Sequence, residues 1–106
     1  MIEEVKHNPL SGLTVGRIVH YVLESGRSKG EHRPAIVVRD WKQENGLVQL
    51  QVFTDGLNDG FEERVKVDSM DSEVHWGSMS SNTIWRTSVH YDENKEPGTW
   101  HWPERA

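Results

Sequence analysis

Apolar and polar residues alternate along several stretches of the chain, with the period of a β-strand rather than that of a helix. The clearest stretch places Val48, Leu50 and Val52 on one side and Gln49 and Gln51 on the other. Such a strand buries one face and leaves the other in water. By the same criterion, strands are predicted over residues 16–23, 35–39, 47–53 and 83–91. No stretch keeps a 3.6-residue period, so no long helix is expected.

Turn-forming residues separate these strands and indicate how they pair. Asn45-Gly46 lies between the second and third predicted strands, so these two strands are expected to be antiparallel neighbours. Residues 61–67 and 74–79 are weaker candidates, either short strands or irregular segments. In the last strand, the alternation predicts one face with Trp85, Thr87, Val89 and Tyr91 and another with Ile84, Arg86, Ser88 and His90.

Four to six short strands joined by charged loops in 106 residues are typical of a small all-β domain. We therefore predict an antiparallel SH3-like barrel with an acidic insertion between its later strands. The barrel domain is predicted to cover residues 16–106, after an N-terminal arm of residues 1–15. The composition also favours strands. The chain has 12 Val and 4 Ile but 6 Leu and 2 Ala, and β-branched residues are enriched in β-strands.

Several classes of protein are excluded by composition. The chain has no cysteine, so it has no disulfide, thiolate zinc site or cysteine nucleophile. No run approaches the roughly 18 apolar residues of a membrane span, and the N-terminus lacks the pattern of a secretion signal. We therefore expect a cytoplasmic protein without a membrane partner.

Charge is distributed unevenly along the chain. Residues 54–82 carry a net charge of -5, whereas residues 16–42 carry +3. An acidic chain lacks the broad basic face of a non-specific duplex DNA binder, but a compact basic loop can hold one or two phosphates. The partner expected from charge is a small anionic ligand rather than duplex DNA.

The loop after the first strand carries the cations for such a ligand. Arg27, Lys29 and Arg33 lie within seven residues, with His32 among them. Guanidinium and ammonium groups between flexible glycines are suited to phosphate recognition. The alternative is an ordinary solvated loop.

An aromatic cluster lies near the C-terminus. Alternation sends Trp100 and Trp102 to one face and His101 to the other. The two indoles either close the core or form a stacking platform for a base. The predicted ligand-binding residues are therefore Arg27, Lys29, His32, Arg33, Trp100, His101 and Trp102.

The six histidines do not suggest a metal site at the level of sequence. None forms a pair at helical spacing or a His-Glu-x-x-His motif, so a site would need side chains from separate strands. No metal ligand and no cofactor are expected, and no catalytic residue is predicted.

Two segments carry a resemblance to a known family. Gly16-Arg17-Ile18-Val19 and, after the loop, His32-Arg33-Pro34-Ala35-Ile36-Val37-Val38 resemble the opening of the MazF-like toxin ribonucleases. The resemblance implies an SH3-like barrel, and an endoribonuclease in which Arg33 stabilises phosphate and His32 is the general acid or base. It covers residues 16–38, and the later strand-end Thr or Ser and the C-terminal helix of those enzymes have no counterpart here.

A second resemblance covers more of the chain. The segments Gly16-Arg-Ile-Val-His-Tyr-Val22, Ala35-Ile-Val37, Val52-Phe53 and Gly98-Thr-Trp-His-Trp-Pro-Glu104 resemble an uncharacterised family of small phage and prophage proteins. This resemblance implies a phage accessory protein in an infected bacterial cytoplasm, acting against a host defence system or in virion assembly.

The leading functional hypothesis is a non-enzymatic binding module for a small anionic ligand such as a nucleotide signal of host immunity. The alternatives are a MazF-like endoribonuclease and a scaffolding protein that binds its partner through residues 54–82. The sequence leaves open whether the chain forms a homo-oligomer.

Overall fold

The computed structural model describes residues 8–68, 74–80 and 82–104, with residues 62–68 and 74–80 described in their backbone alone. The strands are β1 Ile18–Val22, β2 His32–Asp40, β3 Val48–Phe53, β4 Glu62–Asp68, β5 Val74–Ser80, β6 Thr83–Val89 and β7 Trp100–His101. A single 3-10 turn, Gly56–Asp59, is the helical element of the described chain. Among the described residues, no helix is long and apolar enough to cross a membrane.

The strands form two sheets. Five of them are ordered β6-β3-β2-β1-β7, and every pair in this sheet is antiparallel. The predicted pairing of the second and third strands is confirmed. The two weaker candidate strands form a separate antiparallel pair, β4 and β5, within the predicted acidic insertion. The protein is therefore all-β, with an open five-stranded sheet.

The core lies on one face of the five-stranded sheet. Val48, Leu50 and Val52 are fully buried there, as the alternation in β3 predicts. Val19 and Tyr21 from β1 pack into the same cluster, together with Leu23, Ala35, Val37, Val89 and Trp100. Since alternate residues of a strand face opposite sides, the residues between these on β1 belong to the other face of the sheet.

The predicted faces of β6 are wrong, because a β-bulge changes the alternation. Between the pairs Val48↔Val89 and Leu50↔Arg86, one residue of β3 lies opposite two residues of β6. Ser88 has a φ of 55°, and its backbone N–H donates to Oε1 of Gln49 at 2.8 Å. An extra residue re-aims the side chains beyond it. Val89 is therefore buried, although Trp85, predicted on the same face, is 48% exposed.

The described part of the N-terminal arm lies against the core. Leu10 and Leu13 pack on the core cluster. The indole of Trp102 donates to the carbonyl of Pro9 at 2.5 Å, which joins the arm to the C-terminal segment. Residues 1–7 of the predicted arm lie outside the described residues.

Candidate metal centre

Three histidines from three neighbouring strands share the face of the sheet opposite the core. His20 of β1 and His101 of β7 are direct cross-strand partners. His32 begins β2 opposite Val22, which is two residues from His20 and therefore on the same face of β1. The register of β7, β1 and β2 thus brings three imidazoles together from positions far apart in the sequence.

The ring of His101 contacts the rings of both His20 and His32. The centroids of His32 and His101 are 4.5 Å apart, and those of His20 and His101 are 5.7 Å apart, both in edge-on arrangements. In both pairs the edge of one ring lies against the face of the other, so the rings are not stacked face to face. The three histidines are therefore neighbours in their side chains as well as in their backbone positions.

Glu104, three residues beyond His101, completes the cluster. Its Oε1 lies 2.6 Å from Nδ1 of His32 and forms a short hydrogen bond with Nε2 of His101. One ligand atom from each of His20, His32, His101 and Glu104 lies within 4.8 Å of the other three. Three imidazoles and a carboxylate at this separation form a possible first coordination shell for a metal ion.

Burial leaves part of this cluster without protein partners. The side chain of His101 is 3% exposed, against 29% for His32 and 42% for Glu104. The buried Nδ1 atoms of His20 and His101 have no hydrogen-bond partner among the residues that the structure describes. Buried polar atoms are nearly always paired with protein, water or an ion, so these two nitrogens indicate a missing partner.

The local electrostatics at His101 and Glu104 favour the protonation states that bind metal. Burial is the main cause that lowers the pKa of His101, so its neutral imidazole is favoured. For Glu104, desolvation acts to raise the pKa, but the hydrogen bonds from His101 and His32 and the charge of Lys95 act in the opposite direction, and the pKa is lowered. Neutral imidazole and ionised carboxylate are the ligand forms that coordinate a cation.

A metal ion fits this cluster after a small adjustment. Zinc binds nitrogen and oxygen at about 2.0–2.1 Å, which places tetrahedral ligand atoms about 3.3 Å apart. The distance from Nδ1 of His32 to Oε1 of Glu104 is shorter than this, and no two of the four ligand atoms are more than 4.8 Å apart. Shifts of about 1–1.5 Å convert one arrangement into the other, within the reach of side-chain rotation.

A lysine lies beside the carboxylate of this cluster. Nζ of Lys95 is 3.5 Å from Oε1 of Glu104. Lys95 has a φ of 60° and is held in a turn in which its N–H donates to the carbonyl of Asp92 at 3.1 Å. The side chain of Asp92 also accepts from the N–H of Asn94 at 2.9 Å. This turn positions a positive charge at the edge of the site.

The structure separates the cations of the predicted phosphate loop. Arg33 donates from Nε and Nη2 to the buried carboxylate of Asp59 at 2.8 and 2.6 Å. The hydrogen bond from Arg33 is the main cause that holds the pKa of Asp59 well below its usual range. Arg27 and Lys29 are exposed, and Nη1 of Arg27 donates to the carbonyl of Leu57 at 3.4 Å. Arg33 is therefore engaged in an ion pair, and Arg27 and Lys29 are the exposed cations of this loop.

The two predicted indoles lie on one face and His101 on the other, as the alternation indicates. Trp100 is fully buried, and its Nε1 donates to the carbonyl of Gly46 at 2.8 Å. Trp102 is partly buried, packs edge-on against Trp100 with centroids 5.2 Å apart, and lies under the guanidinium of Arg17. Trp100 therefore closes the core and offers no stacking surface.

Sequence reasoning found two members of the cluster, His32 and His101, but assigned them to an anionic ligand. It missed His20 and Glu104. The expectation of no metal ligand rested on the absence of a local motif, and the structure assembles the cluster across three strands, where no local motif exists. The available signal was that His20 lies in a predicted strand and that alternation sets His101 on the face opposite the two indoles, so that pairing of the two segments can place both histidines on one face.

Comparison of this chain with protein-family models, with curated proteins and with solved structures finds no match.

Proposed function

We propose that this protein is a binding module for a divalent transition-metal ion, held by His20, His32, His101 and Glu104. The observation that carries the proposal is the convergence of four ligand atoms within 4.8 Å of one another. The unpartnered buried Nδ1 atom of His20 supports it, because an ion or its bound water supplies the interaction that this nitrogen lacks.

The donor set favours zinc-like ions over calcium or magnesium. Imidazole suits Zn²⁺, Cu²⁺, Ni²⁺ and Co²⁺, whereas Ca²⁺ and Mg²⁺ take oxygen ligands almost exclusively. Three nitrogens and one oxygen match the four-coordinate geometry of zinc. With neutral imidazoles and one carboxylate, a bound divalent ion retains a net charge of about +1 at the site.

Metal binding would strengthen the attachment of the C-terminal segment, which is paired to the rest of the sheet only through the short strand β7. β7 has two residues, and Glu104 lies beyond it in the C-terminal segment. A metal ion adds ligand bonds between β1, β2, β7 and this segment. A ligand that binds the folded state alone stabilises it by about 2.7 kcal/mol at 100 times its dissociation constant.

The test is a calorimetric titration of metal-free protein with Zn²⁺, with Mg²⁺ as the comparison ion. We expect one Zn²⁺ per chain, no heat with Mg²⁺, and a melting temperature that rises with Zn²⁺ concentration. His32→Ala is the main variant, because His32 is partly exposed and its removal leaves the core intact. It is expected to weaken Zn²⁺ binding at least tenfold, in line with loss of a ligand.

His90→Ala is the matched control, since His90 is exposed and lies outside the cluster. It is expected to bind Zn²⁺ as the wild type does. Equal Zn²⁺ affinity in wild type and His32→Ala, or no Zn²⁺ binding by a folded wild type, contradicts the proposal.

We also propose that the five-stranded sheet belongs to an SH3-like barrel. An isolated parallel bridge between Tyr91 and Trp100 supports it, because Tyr91 follows β6 and Trp100 begins β7, the two edges of the five-stranded sheet. The N–H of Trp100 donates to the carbonyl of His90 at 3.1 Å, and the N–H of Asp92 donates to the carbonyl of Trp100 at 3.0 Å. An experimental structure with continuous pairing between these edges would establish the barrel, and one with separated edges would contradict it.

A further inference from the structure

We infer that Glu104 is an exchangeable ligand, and that a small oxyanion, a carboxylate or a phosphate, takes its place on the metal beside Lys95. This inference rests on the proposed function, because it requires a metal ion held by the three histidines. It gives the predicted small anionic ligand a binding position that differs from the basic loop.

The four ligands differ in how firmly the fold holds them. His20, His32 and His101 lie on paired strands, so their backbone positions are set by the register of the sheet. Glu104 lies three residues beyond the end of β7, and its side chain is more exposed than those of His32 and His101. No strand pairing holds its backbone, so Glu104 can move away without changing the register of the sheet.

Three protein imidazoles with a fourth open position are the ligand pattern of exchangeable metal sites. Structural zinc sites have four protein ligands, whereas sites that bind substrate keep three and leave one position for water or ligand. Glu104 completes the set from the outside of the sheet. The arrangement is therefore a three-histidine site closed by an internal carboxylate, which occupies the position that an external oxyanion would take.

Lys95 provides the second contact for such an anion. Its ammonium lies 3.5 Å from the very oxygen of Glu104 that contacts His32 and His101. The turn that places Lys95 is formed with Asp92 and is independent of Glu104. When Glu104 leaves, the ammonium remains beside the open position as a partner for an incoming oxygen.

Replacement of Glu104 by an anion on the metal requires neither an oxidant nor a proton donor. The bond between the metal and Oε1 of Glu104 breaks, and a bond between the metal and an oxygen of the anion forms. The carboxylate of Glu104 leaves as an ion into water. A phosphate dianion brings more negative charge to the metal and to Lys95 than the carboxylate it replaces, so phosphate is favoured over acetate.

Cobalt provides the readout, because the visible absorption of Co²⁺ reports changes in its ligands and coordination number. Wild type, Glu104→Ala and the control Glu93→Ala are each loaded with Co²⁺ and titrated with acetate, inorganic phosphate and adenosine monophosphate. Glu93 is exposed in the same turn as Lys95 and lies outside the cluster, so its removal changes net charge equally.

We expect Glu104→Ala to bind Co²⁺ more weakly than wild type, through the three histidines that remain. At a Co²⁺ concentration that saturates the variant, we expect it to bind phosphate at least tenfold more tightly than wild type, because the internal competitor is gone. Glu93→Ala is expected to match wild type. Adding Lys95→Met to Glu104→Ala is expected to weaken phosphate binding at least fivefold. Tighter binding of the nucleotide than of free phosphate would indicate a nucleotide ligand, and the reverse order would indicate a free oxyanion.

Two results would overturn the inference. One is a Co²⁺ spectrum of Glu104→Ala that none of the three anions changes. The other is complete loss of Co²⁺ by Glu104→Ala, which would make Glu104 an obligatory ligand. Both differ from failure of the proposed function itself, in which wild type binds no Co²⁺ before any anion is added.

Discussion

Arg33 of β2 and Asp59, 26 residues later, form a two-pronged ion pair with hydrogen bonds of 2.8 and 2.6 Å. Asp59 is fully buried, and its Oδ2 also accepts from the N–H of Asp55 at 2.7 Å. The carbonyl of Asp59 accepts from the N–H of Arg27. The pair therefore connects the loop between β1 and β2 to the 3-10 turn after β3. It joins an arginine of the basic segment 16–42 to an aspartate of the acidic segment 54–82.

Removing the carboxylate of this pair is expected to destabilise the fold. Asp59→Asn leaves the partly buried guanidinium of Arg33 with only the exposed carboxylate of Glu31, 3.6 Å away, as counter-ion. Breaking a buried pair costs about 3–5 kcal/mol. We expect the free energy of unfolding in urea to fall by about 3 kcal/mol. Asp55→Asn is the control, because the side chain of Asp55 is exposed. A loss below about 0.5 kcal/mol, the usual range for surface changes, would show that the pair contributes little.

The same pair predicts how stability depends on pH. Because the hydrogen bond from Arg33 holds the pKa of Asp59 below its ordinary value of 3.8, the carboxylate stabilises the folded state fully above that value. This contribution is lost as the pH falls below about 4, towards the folded-state pKa. We expect the difference in unfolding free energy between wild type and Asp59→Asn to be constant near neutral pH and to shrink in acid. A difference that is the same at all pH values would contradict this assignment.

Gly46 and Gly30 offer a matched pair of substitutions. Both have positive φ, 70° and 90°, so alanine carries a backbone penalty of about 1–2 kcal/mol at either position. At Gly46 a Cβ would also lie 2.9 Å from Cβ of Tyr91 and 3.2 Å from Cζ2 of Trp100, whereas at Gly30 it meets nothing within 4 Å. We expect Gly46→Ala to be less stable than Gly30→Ala by about 1–3 kcal/mol, the usual cost of overpacking. Equal melting temperatures would show that the side chains around Trp100 rearrange to accommodate the added methyl group.

Trp100 and Trp85 are expected to respond very differently to truncation. Trp100→Ala removes a fully buried indole and its hydrogen bond to Gly46, and the usual loss is about 3–5 kcal/mol. Trp85 is 48% exposed, so Trp85→Ala is expected to cost much less. Urea denaturation of both variants measures the two losses. Similar losses would mean that Trp100 does not anchor the core.

The amino-acid sequence alone was sufficient to identify the class of fold and the core strand. Alternation in β3 predicts the buried positions of Val48, Leu50 and Val52, and Asn45-Gly46 predicts the hairpin that joins β2 to β3. The separation of Trp100 from His101 onto opposite faces follows from the same rule. These features depend on residues close together in sequence, where the two-residue period of a strand determines which way a side chain faces.

Tertiary structure alone decided the features that depend on register between distant strands. The bulge at Ser88 places Val89 on the face opposite Trp85. This bulge becomes apparent only from the pairing of β6 with β3. Arg33 finds Asp59 across 26 residues. His20, His32, His101 and Glu104 converge because β7 and β2 flank β1 in the sheet, and a shift of one residue in either pairing would send a histidine to the other face.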